Sequence, residues 1–273
     1  MSAYGLSRTP YYVLTGGLAI IFIFPLAWAA LASVSGQPGA AQLNGYGLGN
    51  YRTLFEFEIG LPRFLFNSLV VSLLTVAITL FVSILGGYAF ARFSFPGKNV
   101  LFLLTLAILM VPYATLIIPL YVLLRQLGLQ NTLLGLAFVL AMFQLPFATF
   151  MMRISFEAVP RELEESALVD GCSTFGVLRR ILLRAVVPGI ITVALFAFLA
   201  AWNEYFAPLV LITDPSSVPL PVALANLRTQ TMGAIDYGAT ESGVVVMALP
   251  ALILFLVLQR YYVRGFMSGA VKG

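Results

Sequence analysis

Six long apolar runs, separated by polar segments, constrain the fold of this chain more than any other feature. Each run holds roughly 20 or more residues, the length that an α-helix needs to cross a lipid bilayer. Only 10% of the residues are charged, whereas soluble domains carry about 25%. The sequence therefore predicts an all-α, multi-pass membrane protein with six transmembrane helices. The expected spans are about 12–34, 65–91, 100–124, 133–152, 185–211 and 244–263.

Positive charge is distributed unevenly among the segments that join these runs. With the amino terminus inside, eleven of the fifteen Lys and Arg residues lie in cytoplasmic segments. Cytoplasmic loops carry an excess of basic residues, so this bias predicts that both termini are cytoplasmic. The net charge of +4 then indicates membrane topology and not nucleic-acid binding. The eleven residues are Arg8, Arg92, Lys98, Arg153, Arg161, Arg179, Arg180, Arg184, Arg260, Arg264 and Lys272.

A charged island, residues 157–188, lies between the fourth and fifth runs. It holds five of the eleven acidic residues, so it must lie in water, and the topology places it in the cytoplasm. Gly171 is a natural left-handed stop for a first helix, and Ser173 or Thr174 can cap a second one. The island therefore predicts a short helix, a glycine turn and a second helix that leads into the fifth span.

Two interpretations of this island remain open from the residues alone. Ser166, Ala167 and Gly171 are small and permit the close approach of another surface, while Phe175 and Leu178 are apolar anchors in a wet loop. Such a helix pair suits insertion into a groove on a cytoplasmic partner, with apolar contacts at the centre and charges at the rim. The alternative is a helix pair that packs on the membrane surface without a partner.

The spacing of the island resembles the EAA loop of ABC importer permeases, whose familiar form is E-A-A-x3-G-x9-I-x-L-P. The matching residues here are Glu165, Ser166, Ala167, Gly171, Ile181 and Leu183, and Asp170 before the glycine also fits. Ser166 and Cys172 replace alanines of the pattern, and both are small. Arg184 replaces its proline, and Pro188 is expected to take part of that proline's role.

The resemblance extends over nearly the whole chain. The chain is similar to the smaller permease subunit of maltose-type carbohydrate importers. Besides the island, it rests on segments 95–98, 201–204 and 259–273. It implies a single type-1 ABC-transporter transmembrane domain over residues 1–273. It also implies a cytoplasmic coupling loop at about 153–184 between the fourth and fifth helices, an extracytoplasmic loop at about 213–242 and a carboxyl-terminal tail at about 260–273.

The resemblance also implies partners. The island would be a coupling helix in a cleft of one ATPase subunit, the tail would contact the ATPase dimer, and the long outer loop would contact an extracytoplasmic substrate-binding protein. A second, related permease would complete a heterodimer in a bacterial or archaeal cytoplasmic membrane. The implied coupling residues are Glu165, Ser166, Ala167, Asp170, Gly171 and Phe175. The implied tail contacts are Arg264, Gly269 and Lys272.

Polar residues near the predicted spans are candidates for the solute pathway. An intramembrane carboxylate is costly and marks a functional site by default, which points to Glu204, with Asn203 and Gln144 as further candidates. The alternative is that Glu204 lies at the water interface. Trp202 is expected in the aromatic belt at that interface.

The chain offers no set of catalytic or metal-binding residues. It has no histidine and one cysteine, so the commonest metal ligands are missing. It has no glycine-rich phosphate-binding loop with lysine, so we expect no cofactor here, with ATP and its Mg²⁺ held by separate ATPase subunits. The sequence thus predicts a transport subunit and not an enzyme.

The resemblance implies a sugar, oligosaccharide or polyol as the solute, with glycerophosphodiesters as an alternative. Two rivals belong to other classes. A self-sufficient secondary carrier needs an intramembrane ion-coupling cluster, but Glu204 is the one credible intramembrane acid in the sequence. An integral-membrane enzyme needs catalytic groups that converge at one membrane face, and the sequence shows none.

Overall fold

The computed structural model describes residues 9–36, 45–229 and 236–270, with the side chains of 10–36, 45–228 and 236–258. The regular structure in these residues is helical, apart from one isolated β-bridge between Ser35 and Tyr46. The helices are α1 (Thr9–Val34), α2 (Gly49–Glu56), α3 (Leu61–Arg92), α4 (Lys98–Ala107), α5 (Tyr113–Gln126), α6 (Leu133–Glu157), α7 (Arg161–Val169), α8 (Thr174–Val177), α9 (Leu183–Ala185), α10 (Val187–Trp202), α11 (Phe206–Leu211), α12 (Leu220–Thr229) and α13 (Tyr237–Ala270).

The apolar runs of the sequence correspond to two kinds of helix. Four helices of the described chain, α1, α3, α6 and α13, are long and apolar enough to cross a membrane as continuous segments. Two further spans exist only if each is a bent pair of helices. The number of spans is therefore four to six, and the predicted third and fifth spans are the two that are broken.

The predicted third span, 100–124, is interrupted near its middle. A single 3-10 turn follows α4, and α5 then starts at Tyr113 with its axis turned by 104°. Val111 is extended, with ψ 126°, because the residue before a proline is pushed out of the helical region. Pro112 thus breaks the span, whereas Pro119 and Pro146 lie inside helices that continue past them.

The fifth span was predicted to reach residue 211, which is beyond the end of the helix in the structure. Helix α10 stops at Trp202, and the short helix α11 starts at Phe206. Between them, the carboxylate of Glu204 accepts hydrogen bonds from the backbone N–H groups of Phe206 (2.8 Å) and Ala207 (3.0 Å). A side-chain acceptor at this position caps the start of a new helix.

The last span and the outer loop before it also differ from their predicted limits. The loop was expected to reach residue 242, but α13 already begins at Tyr237. The Asp236 side chain accepts a hydrogen bond of 2.9 Å from the N–H of Ala239 and so caps the helix. Within the same loop, α12 occupies Leu220–Thr229, so the expected excursion is largely helical.

The described residues form two compact units. The first comprises Met1–Pro62 with Ala223–Pro250. In it, the fully buried Asn50 of α2 donates hydrogen bonds to the carbonyls of Ser33 (2.9 Å) and Ser35 (3.1 Å) at the end of α1. These bonds satisfy carbonyls that a helix end leaves without partners. They fix α2 against α1 and make the first outer segment an ordered one.

The second unit comprises Arg63–Val222 with Ala251–Gly273 and contains a continuous apolar core. Helix α3 lies so close to α6 that a Cβ atom placed on Gly87 would be 2.5 Å from Cβ of Met152. Glycine at this position allows the two backbones to touch, as small residues do between membrane helices. The core continues from this contact to the residues of the charged island, which include Ala167 and Val177.

Two adjacent glycines of α3 test this close approach. We expect Gly87→Ala to destabilise the protein by about 1–3 kcal/mol, because the added methyl forces the two backbones apart. Gly86→Ala is the matched control, since its Cβ would lie 3.5 Å from the Thr149 side chain, an ordinary contact. Both changes raise helix propensity equally. The thermal unfolding midpoint of the detergent-solubilised protein should fall only for Gly87→Ala, and equal midpoints would contradict the packing described here.

Candidate functional site

The charged island forms the helix–turn–helix unit that its sequence predicts. Helix α7 ends at Val169, and Gly171 follows with φ +85°, the left-handed conformation that glycine adopts without strain. Ser173 then caps α8, with its hydroxyl accepting a hydrogen bond from the N–H of Gly176 at 3.2 Å. The predicted stop and one of the two predicted caps are therefore confirmed.

The second half of the island turns into the fifth span through a break. A π-helical turn at Leu178–Leu182 and the short α9 lead to Val186, and the axis of α10 then departs by 77°. Pro188 is the second residue of α10, a position where the missing N–H costs no intrahelical bond. The bend thus precedes Pro188, and exposed Arg184 lies just before it.

One side of the island packs into the protein. Ala167, Leu178 and Leu182 are buried in one core cluster with Met152 and Phe156 of α6. The expectation that Leu178 is an exposed anchor is therefore wrong, because α6 covers this face of the island. Ala167 is 6% exposed, so its small size serves packing within the chain.

The opposite side of the island is exposed and partly apolar. Val169 is 87% exposed and Phe175 is 66% exposed, while Glu165 also lies at the surface. Glu165 and Val169 are four residues apart and share one helix face, about half a turn from buried Ala167. We call Glu165, Val169 and Phe175 the exposed face. Val169 was missed in the sequence, because the direction of the buried face could not be known.

A buried ion pair fixes the island to the end of α3. Arg92 and Glu164 have side chains that are 5% and 15% exposed, and Nε of Arg92 lies 3.1 Å from Oε2 of Glu164. The Tyr88 hydroxyl donates to Oε1 of Glu164 at 2.9 Å. The guanidinium of Arg92 also donates to the carbonyl of Val159 at 2.7 Å. Three contacts thus join α3 to the segment that contains α7.

A small cavity brings together two of the three predicted pathway residues. It measures about 160 Å³ and is lined by Gln144 of α6 and by Glu204 after α10, together with Tyr113 and Phe143. Tyr113 packs edge-on against Phe143, with ring centres 4.5 Å apart. The cavity therefore combines aromatic faces with a carboxylate and an amide, as pockets for polar organic ligands do.

The remaining residues near this cavity have other environments. Asn203 does not line the cavity, and its exposed side chain donates to the carbonyl of Leu199 at 2.8 Å. Trp202 is 2% exposed and stacks on Phe198 with ring centres 5.7 Å apart. The expected place of Trp202 in an interfacial aromatic belt is therefore wrong.

The first part of the long outer loop is tied to α3. Asn67 donates hydrogen bonds of 2.9 Å to the carbonyls of both Ser216 and Val218, and the Ser68 hydroxyl accepts one from the N–H of Leu220. Asp214 accepts hydrogen bonds from the side chain and the N–H of Ser216, which hold the pKa of its carboxyl below the ordinary value. This part of the loop is thus an ordered, charged surface.

Parts of the predicted tail and of the outer loop lie outside the described residues. The side chain of Arg264 and the whole of Lys272 lie outside the described residues, and Gly269 is described only as part of the backbone of α13. Residues 230–235 of the outer loop also lie outside them. Among the described residues, no group of three or more His, Cys, Asp or Glu side chains could hold a metal ion.

Residues 83–266 match the family described as "Binding-protein-dependent transport system inner membrane component". The chain belongs to this family. The permease is 30% identical over 276 residues to the trehalose transport system permease protein SugB of Mycobacterium tuberculosis, covering 98% of this chain and 100% of that protein. It is 32% identical over 282 residues to the arabinooligosaccharides transport system permease protein AraQ of Bacillus subtilis, covering 100% and 97%.

A solved structure supports the same fold. The permease aligns with a chain from a bacterial ABC transporter involved in the import of the acidic polysaccharide alginate, with a TM-score of 0.80 and 22% identity over 96% of this chain and 100% of that one. Together with the relatives, this confirms the predicted resemblance to the permeases of carbohydrate ABC importers. The permease is accordingly a multi-pass integral protein of the inner membrane.

Proposed function

We propose that this permease forms half of the translocation pathway of an ATP-driven, binding-protein-dependent carbohydrate importer, and that ATPase subunits drive it through the exposed face. The observation that carries this proposal is the two-sided island. One side is buried in the core that contains α6, while the other presents Glu165, Val169 and Phe175 to solvent. A rigid knob with exposed apolar side chains beside charges suits a groove on a partner.

The proposal assigns the two sides of the membrane. Both termini and the island would lie in the cytoplasm, where the basic residues are concentrated. The ordered surface around Asp214 would then face outward and contact the substrate-binding protein. A second structural neighbour is an alginate ABC transporter in complex with an alginate pentasaccharide-bound periplasmic protein, which supports this kind of partner. A second permease would complete the pathway, and two ATPase subunits with ATP and Mg²⁺ would supply energy.

Photo-crosslinking tests the proposed docking. A photoreactive phenylalanine analogue at Val169, in the complex purified from its native membrane, should crosslink an ATP-binding subunit. The control is the same analogue at Leu127, which is 61% exposed in the turn after α5 and would lie outside the cell. An ATPase adduct from the analogue at Leu127 would overturn the proposed docking. So would an analogue at Val169 that labels lipid but forms no ATPase adduct.

The proposed solute is a sugar, an oligosaccharide or a related polyol. The similar proteins are named for trehalose, arabinooligosaccharides, trehalose/maltose and diacetylchitobiose, which supports a sugar or oligosaccharide over a glycerophosphodiester. The cavity with Glu204, Gln144, Tyr113 and Phe143 measures about 160 Å³, below the roughly 300 Å³ of a pocket that encloses an organic ligand, so it would contact only part of such a solute. Carboxylate and amide groups can bond hydroxyls, while aromatic rings cover the apolar faces of a sugar ring. We propose that this cavity contributes to the pathway.

Glu204→Gln tests the cavity. The amide oxygen can still cap α11, so the helix should remain while the negative charge is lost. Hydrogen bonds to a charged group contribute about 1.5–3 kcal/mol, so we expect relative uptake rates among trehalose, maltose and diacetylchitobiose to change by roughly tenfold or more. Asn203→Ala changes a residue next to the cavity but outside it, so the relative uptake rates of the three sugars should stay as in the wild type. Unchanged preference in Glu204→Gln would remove this residue from the pathway.

A further inference from the structure

Arg92 occupies an unusual position for a charged residue. It is the last residue of α3, where a positive charge is favoured by the helix dipole, yet its side chain is only 5% exposed. A guanidinium removed from water is costly unless its partners are well placed. Its partners here, Glu164 and the carbonyl of Val159, both belong to the segment that carries the exposed face.

The contacts of Glu164 complete this arrangement. One carboxylate oxygen faces Arg92, and the other accepts the hydrogen bond from Tyr88, one turn earlier on α3. The ring of Tyr88 is held in turn between Phe93 and Phe156, at 5.3 and 5.5 Å between ring centres. Glu164 is therefore bound by two side chains of a single helix, and both of these are fixed by packing or by further hydrogen bonds.

The position of Glu164 relative to the exposed face gives this arrangement a mechanical consequence. Glu164 directly precedes Glu165 on α7, so a displacement of the exposed face moves Glu164 as well. Apolar packing, as between Ala167 and the core, resists compression but allows sliding. A buried carboxylate whose two oxygens are held by different side chains, Oε2 by Arg92 and Oε1 by Tyr88, resists both.

We propose that Tyr88, Arg92 and Glu164, here called the clamp, are positioning residues that make α3 move with α7 when an ATPase subunit pushes the exposed face. This inference rests on the proposed function. The core contact with α6 would carry part of the motion, and the clamp would carry the part that reaches α3. Loss of the clamp would let α7 shift without moving α3, so that ATP is hydrolysed without solute transfer.

The clamp is tested by the number of solute molecules imported per ATP hydrolysed. The assay uses the reconstituted native complex and whichever of radiolabelled trehalose, maltose and diacetylchitobiose the wild type imports fastest. Glu164→Gln and Arg92→Gln should each lower this ratio at least about tenfold, because each leaves a buried charge without its partner. Tyr88→Phe keeps the ring packing and removes one hydrogen bond, so we expect a decrease of about two- to fivefold.

The control is Glu56→Gln, the same chemical change in the exposed ion pair between Arg52 and Glu56 within α2. Its ratio should stay within about twofold of the wild type, because exposed pairs contribute little. A structural role alone would reduce the amount of assembled complex and leave the ratio unchanged. Unchanged ratios of solute imported to ATP hydrolysed in the clamp variants would overturn the proposal. If Glu164→Gln fails to assemble, an unchanged ratio in Tyr88→Phe alone would overturn it.

The same assay separates this inference from the proposed function. If the proposed function is wrong, the wild-type complex itself shows no ATP-dependent uptake. If only the inference about the clamp is wrong, the wild type couples uptake to ATP hydrolysis, and the clamp variants couple them equally well.

Discussion

Gly171→Leu is expected to lower ATP-dependent uptake at least about tenfold while the protein still inserts into the membrane. Apart from its chain neighbours, no atom lies within 4 Å of a Cβ built at this position, so there is open space where the new side chain begins. Gly171 follows α7 in the turn beside the exposed face, where the proposed ATPase groove has to close. Loss of one well-packed contact at the centre of an interface costs about 2 kcal/mol or more, which accounts for the expected decrease.

Gly128→Leu is a matched control for Gly171→Leu. Gly128 has φ +68° compared with +85° for Gly171, and its Cβ would also meet nothing within 4 Å. Both variants therefore suffer the same penalty of about 1–2 kcal/mol for a side chain in the left-handed region. Gly128 lies in the turn after α5, which would face outward. An equal loss of uptake in both variants would attribute the effect to backbone strain and would count against docking at Gly171.

Val169→Asp is expected to have the second largest effect, through assembly with the ATPase. The side chain is 87% exposed, so a charge there does not disturb the permease alone. In the proposed interface it would bury an unpaired carboxylate next to Glu165, where repulsion adds to the loss of solvation. We expect the ATPase subunit that co-purifies with the tagged permease to fall at least about tenfold.

Val169→Thr is the corresponding control, because threonine has nearly the same shape as valine and carries no charge. It should retain most of the co-purifying ATPase. Full retention by Val169→Asp would show that this side chain lies outside the interface. A loss of permease from the membrane in Val169→Asp would contradict the expectation that a charge at this exposed position does not disturb the permease alone.

Local signals in the sequence were sufficient for the parts of the island that depend on local chemistry. The left-handed turn at Gly171 and the cap by Ser173 follow from the backbone preferences of glycine and serine. The direction of the side chains was not predictable in the same way. Leu178 is buried and Val169 is exposed because α6 covers one face of the island, and the sequence does not reveal which face that is.

For the spans, composition predicts which segments are apolar enough to cross the membrane, whereas individual residues determine where the helices break. Apolar runs identified every candidate span, because only length and hydropathy were needed. The breaks do not follow from hydropathy: α5 starts after Pro112 whereas α6 continues through Pro146, and Glu204 caps α11 after the end of α10. The pairing of Arg92 with Glu164 joins residues 72 positions apart in the chain, and no local pattern indicates it.

The central claim is that this permease moves solute only when ATPase subunits drive it. The complex purified from its native membrane should be reconstituted into liposomes with its binding protein, alongside liposomes that contain the permease chain alone. We predict that labelled trehalose, maltose or diacetylchitobiose accumulates only in vesicles with the whole complex and only with Mg²⁺ and ATP, and that the solute stimulates hydrolysis. Accumulation by the permease chain alone, without ATP, would contradict the account.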